Sequence, residues 1–286
     1  MSIRDATPQT PHGQFAVRYN NGVGVRHRGA GVPPNVNMFG NLGNEVMNFR
    51  EFVTHNLDFH EADDIAATRW TVTQLTGVAG AFTRVDDTPQ GLAVLDVGGA
   101  TEDHGVQIQE TVATAQGEMY FPTAAQSKIV AWEARGSMDF AEDCTWYIGI
   151  GETDATFQTS AAGAITADNF IGFSHFAGAT TVNLIQGGTA AANVVTITPR
   201  RALWIPADAI DTKRRLGVRI EDNNNMFWYL DGVLVGHTYV GDTAVATGTT
   251  TTAFDDAMCS TFCLINGDGG QATMTIDYIA SQVTRV

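Results

Sequence analysis

The chain has 286 residues, 44% of them hydrophobic, and a formal net charge of -15. That length can bury a sizeable core, and a field of that sign repels nucleic acid. Lysine occurs only at Lys128 and Lys213, and long runs of Glu, Lys and Leu are missing, while Gly reaches 30 residues; this excludes a helical bundle and points to an all-β chain with many turns.

In chain order, residues 1–60 stand apart. Five Arg against four acids leave this segment at +1 and the remaining chain at -16. Pro8, Pro11, Pro33 and Pro34 are joined by Gly- and Asn-rich sequence, YNNGVGVRHRGAGVPPNVNMFGNLGN, which lacks the apolar density to fold alone. It reads as an extended N-terminal arm that becomes ordered on a partner, with Phe15, Tyr19, Met38 and Phe39 as its apolar anchors. Residues 45–60 carry more apolar weight. Val46, Phe49, Val53 and Leu57 fit one helical face, while Phe49, Glu51 and Val53 alternate weakly, so helix and strand both remain open.

From residue 61 the pattern is repeated β. Strands are expected at 69–75, 91–98, 105–111, 128–138, 145–152, 170–176, 181–187, 193–199, 214–221, 226–240, 260–267 and 272–283, and a helical turn at 205–210. Asp231-Gly232, between two β-rich runs, is a hairpin signal. The run before it poses a question. Met226, Trp228 and Leu230 share one strand face, and Phe227 and Tyr229 share the other. One face lines a core, and the second needs a cover, because a large apolar patch in water is unusual for a monomer. Another copy of the chain, grouped most simply as a trimer, is the expected cover.

The order of these segments resembles the concanavalin A-like (LamG-type) antiparallel jelly roll, in particular versions found in tailed-phage virion proteins. LGVRIEDNNNMFWYLDGVLVG and TMTIDYI are the most specific pieces, and the likeness spans about residues 64–286. The likeness does not cover the arm; composition and resemblance together divide the chain into an arm at 1–60 and a sandwich at 61–286. The resemblance also implies a structural virion protein on the capsid exterior, made in the host cytoplasm, with the major capsid protein and copies of itself as partners. The alternative it implies is a glycan-binding adhesin, with Trp228, Tyr229 and Asn224 as glycan or subunit contacts and Trp146, Tyr147, Asn223 and Asn225 as further candidates.

Candidate chemistry is sparse. Retaining glycoside hydrolysis needs two carboxyl groups about 5 Å apart, and no strand carries acids at alternate positions. Asp139, Glu142 and Asp143, and Glu102-Asp103-His104, read as solvated turns, without a nucleophile beside them. Asp222 to Asn225 fails the calcium-loop spacing, because Met226 and Phe227 stand at ligand and Gly positions. Asn266 to Gly270 reads as turn geometry, and His55, His60 and Glu61 form no compact zinc pattern. Lys213-Arg214-Arg215 reads as a solvated strand end, and no phosphate-cradling loop is present. The expectation is therefore a chain that is not an enzyme, without cofactor or metal, that binds neither nucleic acid nor membrane. Cys144, Cys259 and Cys263 are odd in number. Along one strand Cys259 and Cys263 would lie about 13 Å apart, too far for a disulfide, so buried free thiols are expected.

Overall fold

The computed structural model describes residues 52–59, 61–76, 80–85, 91–99, 101–111, 129–139, 144–154, 157–158, 165–167, 169–179, 182–188, 190–197, 213–221, 225–239, 258–267 and 271–284. Fifteen strands follow in order: β1 (Phe52–Leu57), β2 (Trp70–Thr76), β3 (Ala81–Val85), β4 (Leu92–Asp96), β5 (Gly105–Glu110), β6 (Ile129–Asp139), β7 (Cys144–Glu152), β8 (Phe170–His175), β9 (Asn183–Gly188), β10 (Ala190–Ile197), β11 (Arg214–Glu221), β12 (Asn225–Leu230), β13 (Val233–Tyr239), β14 (Met258–Asn266) and β15 (Thr273–Thr284). A short 3-10 turn at Ala62–Ile65 sits between the first two. No described helix is long and apolar enough to cross a membrane.

The strands form two antiparallel sheets. Sheet A runs β13-β12-β11-β6-β15-β4-β3, with β1 also paired to β15; sheet B runs β10-β9-β8-β7-β14-β5-β2. The chain is an all-β sandwich, as its alternation requires. Trp132, Val218, Met226 and Trp228 face inward from sheet A, against Trp146, Ile148, Ile150, Phe173 and Phe262 from sheet B. Two tryptophans tie the sheets together. The Trp228 indole N–H donates to the Gly172 carbonyl at 2.8 Å. The Trp132 indole N–H donates to Ser260 Oγ at 3.0 Å, and that hydroxyl donates to Glu110 Oε2 at 2.7 Å. A buried N–H must find an acceptor, so these bonds fix both rings.

Residues 52–59, grouped with the arm in the sequence reading, join the sandwich. Phe52 to Leu57 pair with Thr284 to Ile279, and Leu57 and Phe59 are buried. The helix-or-strand ambiguity resolves to a strand, because the edge of β15 offers an unpaired backbone ladder. The β3 strand was absent from the expected set. All its residues are at least partly exposed, so it lacks the alternation that marks a half-buried strand. The expected helical turn at 205–210 and the arm anchors Phe15, Tyr19, Met38 and Phe39 lie outside the described residues.

Asp231 (φ 50°) and Gly232 (φ 79°) both take positive φ in the β12–β13 hairpin, the geometry of a tight two-residue turn. All three cysteines are thiols rather than disulfides, and all are buried. Burial pushes the Cys259 thiol up to about 12 and raises that of Cys263 as well.

Candidate functional site

Each sheet has an outer face, and the two differ. On sheet B, Tyr147, Phe170, Ile185, Cys263 and Ile265 pack with Phe157, Ile165 and Ala167 from the β7–β8 connection. Gln107 and Gln109 hold that connection by its backbone. The Phe157 amide donates to Gln107 Oε1 at 2.8 Å and the Asp154 amide to Gln109 Oε1 at 3.1 Å, while Gln109 Nε2 donates to the Glu152 carbonyl at 2.8 Å. Buried amides of this kind act as surrogate strand partners. Tyr147 donates its hydroxyl to the Ile150 carbonyl at 2.7 Å, and its ring lies 4.6 Å from that of Phe157. The middle of this face is filled by the chain itself.

Sheet A's outer face is built differently. Register places Gln282, Ala131, Arg219, Phe227 and His237 in one row across β15, β6, β11, β12 and β13. The next row is Ala280, Glu133, Gly217, Tyr229 and Leu234, and the third is Tyr278, Arg135 and Arg215. This answers the question posed by β12. Phe227 stacks on His237, with ring centroids 4.4 Å apart and planes at 15°. Tyr229 packs with Ala131, flanked by the partly buried Ile129, Phe227 and Leu234, and Arg219 hydrogen-bonds its hydroxyl. The cover is supplied in good part by neighbours on the same face; among the described residues Val72 is the one exposed large hydrophobic.

Next to these aromatics lies a charged cluster. A bulge between Ile276 and Tyr278 inserts Asp277 into β15, and bulges re-aim side chains in this way. Asp277 Oδ2 accepts from Arg135 at 2.8 Å, and Oδ1 lies 3.2 Å from the Lys213 ammonium. The close approach of β15 requires Gly136, where a Cβ would stand 2.3 Å from the Thr275 carbonyl oxygen. At the hairpin, Asp231 accepts from Arg214 Nη1 at 2.6 Å and from the Arg215 amide at 3.0 Å. Its carbonyl accepts from Arg215 Nη2 at 3.0 Å. Between these two groups sits Glu133, hydrogen-bonded by the Tyr278 hydroxyl. Burial raises the Glu133 carboxyl above its ordinary value, while the Tyr278 bond and the Arg215 and Arg135 charges act the other way. Burial, and then the neighbouring Glu133, raise the Tyr278 phenol.

The candidate contact residues are therefore divided. Trp228 points into the core and Tyr229 to the outer face of the same strand, so the sheet separates them. Trp146 is buried and stacks on His175 at 5.9 Å. Asn223 and Asn224 lie outside the described residues, and Asn225 opens β12. Glu102 and Asp103 are exposed, and Asp103 is held in its turn by donating its amide to the Asn266 carbonyl at 3.0 Å. Among the described residues no group of three or more His, Cys, Asp or Glu side chains is placed to hold a metal. Lys213, Arg214 and Arg215 are tied to two aspartates rather than simply solvated. The Glu133, Arg135, Asp277 and Tyr278 cluster was not anticipated; the alternation in KIVAWEARGSM and RRLGVRIE carried part of its signal.

No protein-family model and no curated protein matches the chain. Solved structures do match. Peanut lectin superposes with a TM-score of 0.51 at 12% identity, covering 82% of this chain and 99% of the lectin. The catalytic domain of an endo-1,3-beta-glucanase (laminarinase) from Thermotoga petrophila RKU-1 gives 0.50 at 13% identity, covering 82% and 98%. A carbohydrate esterase from the Shiga toxin-encoding bacteriophage phi24B gives 0.45 at 13% identity, covering 82% and 100%. Identities this low speak for the fold alone. The expectation that the chain is not an enzyme does not stand, because the structures sharing its fold include an endo-1,3-beta-glucanase. A missing row of acids along one strand says nothing against carboxyl groups drawn from separate elements. The described chain is a concanavalin A-like jelly roll, a fold that it shares with lectins and glucanases.

Proposed function

We propose that the chain is a structural protein of a tailed-phage virion, seated on the capsid exterior through its arm and through the outer face of sheet A. The observation that carries this reading is the composition of that face. The buried Tyr229 and the partly buried Phe227, Leu234 and Ile129 form an apolar group, with Arg219 and Arg215 on the same face of the sheet. Aromatic residues and Arg are the residue types enriched where protein surfaces meet. The likeness of LGVRIEDNNNMFWYLDGVLVG and TMTIDYI to virion strands supports the same reading. In it the acidic sandwich is a rigid knob, the arm lies along capsid subunits, and copies grouped as a trimer make the attachment multivalent.

The test is co-sedimentation with capsids stripped of accessory proteins. The deletion should remove residues 1–50 and stop short of β1, because removing 1–60 also strips a strand from sheet A. Full-length protein saturating the shell at fixed stoichiometry, with the shortened chain left in the supernatant, supports the reading. Failure of the full chain to pellet sinks it.

A second reading, glycan binding, draws on a separate observation. Tyr278, Glu133 and Arg215 place a phenol, a carboxyl and a guanidinium side by side on the outer face of sheet A, the mixture of apolar and hydrogen-bonding groups that sugars require.

A further inference from the structure

We infer that His175 is a proton-operated latch, whose doubly protonated ring ties the turn after β8 to the start of β7 and whose neutral ring releases that turn. The latch is independent of the capsid and glycan readings.

His175 closes β8 and is fully buried. Its Nδ1 lies 2.9 Å from the Cys144 carbonyl oxygen, and its Nε2 lies 2.9 Å from the Ala179 carbonyl oxygen. A carbonyl oxygen only accepts. A neutral imidazole has a single N–H, and the lone pair on its other nitrogen cannot donate. In either tautomer, then, one carbonyl meets a lone pair at hydrogen-bond distance. Only the imidazolium donates to both. The ring also stacks on Trp146, with centroids 5.9 Å apart and planes at 14°. A cation at that range gains from the indole face, and a neutral ring does not. Burial acts the other way, because it disfavours the charged form. Two charge-assisted bonds, each stronger than a neutral one, and the indole face offset it.

Among the described residues no acid or base pairs with the ring. β7 brings the Cys144 thiol, which donates to Met138 Sδ at 4.0 Å, and the Thr145 hydroxyl. Residues 176–179 have no titratable side chain, and β9 opens with Asn183. From sheet A, β11 lies against β8 and turns Leu216, Val218 and Ile220 inward; Arg214, at its start, is paired with Asp231. Asp143, next to Cys144, lies outside the described residues. Of the two ties, the one to Ala179 yields first. Cys144 sits in a paired strand, opposite Asn266. Ala179 is half-buried and follows the exposed Gly178, whose φ is 75°. Its turn is otherwise held by the Ala179 amide donating to the Phe176 carbonyl and the Ala177 amide donating to Thr145 Oγ1, each at 2.9 Å. The sign follows: the latch holds in acid and opens as rising pH strips the second proton from the ring.

The experiment is imidazole nitrogen NMR of the labelled full chain from about pH 5 to about pH 9, with hydrogen exchange of the turn amides alongside. At the acid end His175 should show two ring N–H protons, both exchanging slowly with water because both are hydrogen-bonded and buried. At the alkaline end it should show one. Exchange at the Ala177 and Ala179 amides, corrected for the intrinsic effect of pH, should then be at least tenfold faster, with the same midpoint as the ring. In His175→Gln, whose amide donates to one carbonyl at every pH, that difference should vanish. If this variant fails to fold, the shared midpoint of ring and amides in the native chain carries the test. A ring with a single proton at the acid end overturns the latch, as does amide exchange that keeps its rate while the ring titrates. Asp143→Asn should leave the doubly protonated ring in place; a singly protonated ring in that variant at the acid end overturns the assignment of the proton to the two carbonyls.

Discussion

A carboxyl buried on the outer side of a sheet, as Glu133 is, must either find partners or take up a proton. It finds some: the Tyr278 hydroxyl and the charges of Arg215 and Arg135 all favour the ionised form, yet burial outweighs them and its titration moves upward. The sign for stability follows. Below the ordinary glutamate value of 4.5 the group is neutral in folded and unfolded chains and contributes nothing; above it the folded chain carries a penalty that is complete once pH passes the raised folded value. Glu133→Gln, neutral throughout, should therefore be more stable than the native chain at pH 8, with the advantage vanishing near pH 4. Thermal midpoints across that range check it, and an advantage that grows on acidification would contradict it. The cysteines give a second expectation at this scale. Cys144, Cys259 and Cys263 are buried and the two in β14 are hard to ionise, so a thiol reagent should find no reactive group in native protein and three in denaturant.

At the scale of elements, the β7–β8 connection deserves a direct test because sheet B's outer face depends on it. Phe157 is fully buried against Tyr147 and Phe170. Phe157→Ala should cost about 3–5 kcal/mol and speed hydrogen exchange at the Asp154 and Phe157 amides held by the two glutamines. Exchange unchanged at those amides would mean the glutamine bonds alone hold the segment. Much of the strand pattern was legible in sequence. Met226, Trp228 and Leu230 do face one way, and Asp231-Gly232 is the tight turn its dipeptide signalled. What escaped was non-local. Nothing near Gln107 in sequence indicates that it will hold Phe157, 50 residues on. Likewise Asp277 joins Arg135 from 142 residues away through a bulge that shifts the register by one. Edge strands β1 and β3 were missed or left open because partner strands, not their own alternation, define them.

At the scale of the whole molecule, two sheets tied by tryptophan hydrogen bonds leave one outer face filled by the chain and the other carrying aromatics and paired charges. Composition puts the arm boundary at residue 60, yet Leu57 and Phe59 are core residues. Removing residues 1–60 should therefore cost at least about 5 kcal/mol through these two side chains, while removing 1–50 should leave the unfolding transition near its native midpoint. Capsid pelleting of the full chain carrying Phe227→Ser and Leu234→Ser, alongside the native chain, decides whether the outer face of sheet A seats the protein on a shell. The native chain should saturate stripped capsids, and the double variant, folded by circular dichroism, should bind at least tenfold more weakly. A double variant that pellets with native affinity, or a native chain that stays in solution, would contradict that seating.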